Sequence, residues 1–83
     1  MEKIYVTYIT DYDSTKSAGF FRKPEDALDA AEKWAKEEFG VDLEWKEMSP
    51  SSVDTFGEGA VDLLQARVYH QELYFYLAEI PLR

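Results

Sequence analysis

The stretch PEDALDAAEKWAKEEFG, residues 24–40, decides how the rest of the chain is read. A proline at its start suits the first turn of a helix, where an amide hydrogen would have no intrahelical partner. Glu25 and Asp26 follow at the positive end of the helix dipole. Gly40 can take the left-handed conformation that stops a helix. Good helix formers fill the interval. At 100° per residue, Ala27, Leu28, Ala31, Trp34, Ala35 and Phe39 share one side, and Glu25, Asp29, Glu32, Lys33, Lys36 and Glu37 share the other. Residues 24–39 therefore read as an amphipathic helix with Trp34 in the core. Asp29–Lys33 and Glu32–Lys36 have the acid-before-base spacing of i,i+4 ion pairs.

An apolar helix stripe must be buried, and the flanking sequence offers a sheet to bury it. Residues 3–10 are β-branched or aromatic on both alternating faces, so both faces of that strand are expected to be covered. Residues 11–19 read as a polar loop, with a short extended piece at 18–22. Residues 41–48 alternate Val41, Leu43 and Trp45 against Asp42, Glu44 and Lys46, the pattern of a half-buried strand. Ser49-Pro50-Ser51-Ser52 is expected to break that strand, and a loop to follow as far as about Gly59. Residues 63–69 and 73–80 read as a hairpin turning at His70-Gln71, with a short helix over 61–67 as the alternative for its first arm. In the second arm Leu73, Phe75 and Leu77 point one way, and Tyr74, Tyr76 and Ala78 the other.

The expected fold is α+β, a two-layer sandwich. One helix lies on a mostly antiparallel sheet of about four strands, in the order strand-helix-strand-strand-strand. At 83 residues the chain reads as a single domain, 1–83. One helix cannot cover both faces of a sheet. The far face is either roofed by the loops at 11–22 and 49–59 or left as an aromatic surface for a partner.

Composition excludes several kinds of chemistry. Without cysteine there is neither a disulfide scaffold nor a thiolate metal site. Seventeen acids against nine bases give a net charge of −8, which repels phosphate backbones and argues against direct nucleic-acid binding. No apolar run approaches the ~20 residues of a membrane span, and the N-terminus has no signal-peptide pattern, so no membrane association and a cytoplasmic location are expected. His70 is the lone imidazole, placed at a turn with no nucleophile beside it in sequence. Gly57-Glu58-Gly59 is too short to cradle a phosphate and carries an acid where the anion would sit.

Asp11-Tyr12-Asp13-Ser14-Thr15 resembles the DxDxT signature of the haloacid-dehalogenase-type phosphatases. In those enzymes the first Asp attacks phosphorus, the second moves protons, and magnesium sits between them. The resemblance covers five residues. The large doubly wound sheet that carries the motif in that family does not fit in 83 residues. Tried as a calcium loop, the same stretch has Lys16 where glycine belongs and Arg22 where the bidentate Glu belongs. No catalytic residue, metal ligand or cofactor is therefore assigned, and the chain reads as a non-enzyme.

Charge is distributed unevenly. Residues 1–23 hold three acids and four bases, residues 24–47 nine acids and three bases, and residues 48–83 five acids and two bases. The helix and the segment after it form the acidic pole. Tyr and Trp, which protein interfaces favour, are abundant. Together these features point to a small acidic protein-binding module. In general character it resembles small acidic inhibitors such as nuclease immunity proteins, anti-CRISPR proteins and DNA mimics, a likeness of composition. The expected partner is a basic, nucleic-acid-binding protein, met through Glu25, Asp29, Glu32, Glu37, Asp42 and Glu44 and anchored by Tyr74 and Tyr76. The alternative is a homodimerisation or adaptor domain that uses an aromatic sheet face.

Overall fold

A computed structural model of the protein describes residues 2–10, 15–52, 56–57, 59–68 and 73–81. The elements in chain order are β1 (Lys3–Thr10), β2 (Thr15–Phe21), α1 (Pro24–Phe39), β3 (Lys46–Ser52), β4 (Val61–Val68) and β5 (Leu73–Pro81). The fold is α+β. One helix accompanies a five-stranded antiparallel sheet of order β2-β1-β5-β4-β3. Among the described residues no helix is long and apolar enough to cross a membrane.

The helix starts and stops where its sequence signals lie. Lys23 is extended and Pro24 opens the first turn. Gly40 is left-handed, with φ +66°, and donates its backbone N–H to the Lys36 carbonyl at 3.1 Å. Ala27, Ala31 and Ala35 have no exposed surface. A stripe this small seats the helix close enough for the Thr7 hydroxyl to donate to the Ala27 carbonyl at 2.9 Å, which satisfies a hydroxyl that is fully buried. The close seating also explains a difference from expectation. Trp34 is half-buried rather than enclosed. Its indole meets Phe75 edge-on at 5.5 Å, while Phe75 itself is fully buried.

The sheet differs from the expected one in two places. The fifth strand is β2, within a stretch that reads as mostly loop. Lys16, Ala18 and Gly19 carry little strand propensity, and as an edge strand β2 draws its stability from pairing with β1. The strand expected at 41–48 is displaced: β3 begins at Lys46 and runs through the Ser-Pro-Ser-Ser stretch expected to end it. Its ladder jumps from Glu47↔Leu64 to Ser51↔Asp62, and Pro50 lies inside that irregularity on an edge strand, where a missing amide hydrogen costs least. Residues 41–45 still keep their alternation of burial. Val41, Leu43 and Trp45 pack against the helix-side core, while Asp42 and Glu44 are exposed. The hairpin expected from 63–69 and 73–80 is present as β4 and β5, paired as far as Val68↔Leu73, so the helical alternative for 61–67 is not realised; the turn expected at His70-Gln71 lies outside the described residues.

Closure of the sheet by β1 and β5 places the two apolar chain ends side by side over the full length of β1, from Lys3↔Pro81 to Thr10↔Tyr74. Both faces of β1 are covered, as its sequence implies. The helix-side core holds Ile9, Ala31, Ala35, Ala66, Val68 and Phe75. A second cluster on the far face holds Val6, Tyr8, Ala60, Ala78 and Ile80, with Phe56 packed against it. The connection between β3 and β4 therefore roofs part of the far face. Of the other expected roof, 11–22, residues 15–21 form the edge strand β2 instead, and residues 11–14 lie outside the described residues.

Candidate functional site

The eight residues expected to meet a partner do not form one surface. Glu25, Asp29, Glu32 and Glu37 are exposed on the outer side of α1. The expected helical ion pairs are not made. Lys36 instead reaches past Gly40 to Asp42, Nζ to Oδ1 at 3.5 Å. The other ion pair among the described residues is Lys3–Glu79 at 3.0 Å, in which the glutamate's hydrogen bond and charge raise the lysine pKa. The helix carboxylates thus have no ion-pair partner among the described residues and face water, outnumbering Lys33 and Lys36, which lie on the same side.

Tyr74 and Tyr76 lie on the opposite face of the sheet, because Phe75 between them points to the helix. Tyr74 lines an open groove of about 370 Å³ with Asp42, Glu44, Lys46, Gln65 and Arg67. The register explains the grouping. Lys46 is opposite Gln65 and Arg67 is opposite Tyr74, so these side chains leave the sheet on one side. Asp42 and Glu44 arrive from residues 41–45 because Leu43 and Trp45 turn the other way, into the core. The groove holds both signs of charge. From its floor a file of rings crosses the sheet: Tyr74 to Tyr76 at 6.2 Å, Tyr76 to Tyr8 at 5.4 Å, Tyr8 to Phe56 at 4.9 Å, and Phe56 to Phe20 at 6.1 Å. Phe20, at its outer end, is 55% exposed.

Sequence reasoning missed Asp62. Asp62 is 8% exposed, and its carboxylate accepts a hydrogen bond from the Tyr8 hydroxyl. Burial raises the Asp62 pKa, and the Tyr8 bond offsets this in part. The Tyr8 hydroxyl is shifted upward as well, by burial first and then by its bond to Asp62. Burial and the nearby Asp62 charge also raise Tyr76. The signal was present in Val61-Asp62-Leu63-Leu64, an acid standing alone in an apolar run.

Asp11 and Asp13, the core of the phosphatase-like motif, lie outside the described residues. Among the described residues no group of three or more His, Cys, Asp or Glu side chains is placed to hold a metal ion. Set against protein-family models, curated proteins and solved structures, the chain matches none of them.

Proposed function

We propose that this chain is a non-enzymatic protein-binding module that sets its carboxylates against a basic surface of a target protein, as an inhibitor covering a nucleic-acid-binding site would. One observation carries the reading: Glu25, Asp29, Glu32 and Glu37 line the exposed side of α1 with no ion-pair partner among the described residues. This excess of unpaired acid over Lys33 and Lys36 favours encounter with a cation-rich surface. Affinity purification at low and at high salt tests it. Recovery of a basic protein that is lost at high salt supports the reading, and the recovered protein should lose nucleic-acid binding when this chain is added. Recovery of the same proteins by a variant with these four carboxylates neutralised would overturn it.

A second reading rests on the mixed-charge groove at Tyr74. Lys46 and Arg67 line it together with Asp42 and Glu44, so one surface carries both signs of charge, as a self-complementary two-fold interface requires. Sedimentation across a range of protein concentrations separates the two readings, because a dimer through this groove forms without any partner.

A further inference from the structure

α1 is too narrow for the sheet beneath it. A helix with its side chains is about 10–12 Å across and strands lie about 4.8 Å apart, so one helix shields two or three strands. α1 packs mainly on β1 and β2 and less on β5. Toward β4, one end of the helix-side face is closed by Leu43 and Trp45, which pack on the cluster of Ala66, Val68 and Phe75. The other end is open. A groove of about 400 Å³ lies there, lined by Tyr5, Pro24, Met48, Leu64 and Leu77 and by two carboxylates, Glu47 and the Lys3-paired Glu79. Leu77 is buried, but Tyr5, Met48 and Leu64 keep part of their apolar surface in water. Glu47 is exposed and has no ion-pair partner among the described residues, and Glu25 and Asp26 follow directly on Pro24.

We infer that this groove is the docking site for an amphipathic helix of a basic partner, laid on the sheet beside α1. The inference rests on the reading that the chain binds a basic protein, and it names the anchor that charge alone does not supply. The surface on offer consists of side chains on a sheet face rather than the unpaired backbone of an edge, so it suits a helix with apolar residues at i, i+3, i+4 and i+7. The acidic rim selects Lys and Arg on the flanks of that helix. It also disfavours a second copy of this chain, whose one helix has an acidic outer side.

The probe is a synthetic amphipathic peptide of about 16 residues, with Leu on one helical face and Lys on the other. A peptide of the same composition in scrambled order is the control. Calorimetry and backbone amide shifts are recorded on the whole chain and on the variants Leu64→Gln, Met48→Gln and Glu25→Gln/Asp29→Asn/Glu32→Gln. Met48 lies on an edge strand and is part-exposed, so its variant keeps the test valid if Leu64→Gln unfolds. The expected result is binding of the ordered peptide about tenfold or more tighter than the scrambled one, with shifts at Met48 and Leu64 and about tenfold loss in either groove variant. Equal, salt-sensitive binding of both peptides, untouched by the groove variants but weakened by the triple change, overturns the groove and leaves carboxylate docking standing. Binding by neither peptide also overturns the groove, while purification of the natural partner still judges the wider reading separately. Groove amides that shift with protein concentration alone would assign the site to a second copy and overturn the inference.

Discussion

The Tyr8 hydroxyl donates to the Asp62 carboxylate at 2.5 Å, joining two residues 54 positions apart and two strands that are not neighbours. β5 lies between β1 and β4, and the phenol crosses it on the face away from the helix. Ala78, the register partner of Asp62, occupies the crossing point and is fully buried. A methyl group there leaves the phenol its path. The bond ties the three inner strands together and places a carboxylate where desolvation disfavours its charge.

Asp62→Asn should stabilise the protein progressively as pH rises. Burial holds the folded-state pKa of Asp62 above its ordinary value, so the folded protein keeps this proton more tightly than the unfolded chain does. The stabilisation is complete below the unfolded carboxylate pKa and is lost as pH rises through the raised folded value. Asn can accept the Tyr8 bond but cannot ionise. The difference in Tm between variant and parent, measured from acid to neutral pH, should grow in favour of Asn. A difference that stays constant with pH would show that Asp62 does not carry this cost.

Tyr8→Phe should destabilise the protein by about 1–3 kcal/mol at neutral pH, the cost of leaving a buried polar group without its partner. The loss should be smaller in an Asp62→Asn background, because a stranded amide is less costly than a stranded charge. Denaturant melts of the two single variants and the double variant give the coupling. Additive effects would mean that the bond contributes nothing in solution.

Phe75→Ala should cost about 3–5 kcal/mol, as large buried aromatics do. Phe75 is fully enclosed, and Trp34 and Phe39 both pack edge-on against it. Trp34→Ala should cost less, since part of the indole already faces water. Urea denaturation ranks the two. The reverse order would place the centre of the core at the helix flank rather than at β5.

Neutralising Glu25, Asp29 and Glu32 as Gln, Asn and Gln should lower the on-rate for the basic partner and flatten its salt dependence, with little effect on Tm. Tyr76→Ala tests the opposite face. Since Tyr76 and α1 lie on different sides of the sheet, a partner held at the helix should not sense this change, whereas self-association through the Tyr74 groove should weaken. Surface plasmon resonance at two salt concentrations, with sedimentation of both variants, distinguishes the outcomes. An unchanged on-rate and salt slope in the triple variant would reduce the stripe to a solvated surface.

The span and ends of the helix were legible in the sequence because their determinants are local, whereas the half-burial of Trp34 was not. Pro24, the first-turn acids, the alanine spacing and Gly40 act within a few residues of one another and need no partner strand. The sidedness of β5 and the covered faces of β1 were legible for a similar reason, since alternation is a property of the strand itself. The sequence also carried the charge map, which is plain arithmetic along the chain. The β4–β5 pairing was legible as a hairpin, but the edge strands were not, because they owe their existence to a neighbour. β2 has poor strand formers at Lys16, Ala18 and Gly19 that β1 holds in place, and β3 forms through Pro50 because β4 offers it a ladder. Residues 41–45 show the division within one segment: their burial alternates as the sequence says, yet they stand outside the ladder their pattern implied. Tertiary structure alone decided that Asp62 is buried against Tyr8, that Tyr74 and Tyr76 lie on the opposite side of the sheet from the helix acids, and that an apolar groove remains beside α1. Each depends on strand order, which sets which side chains meet over distances that local chemistry does not reach.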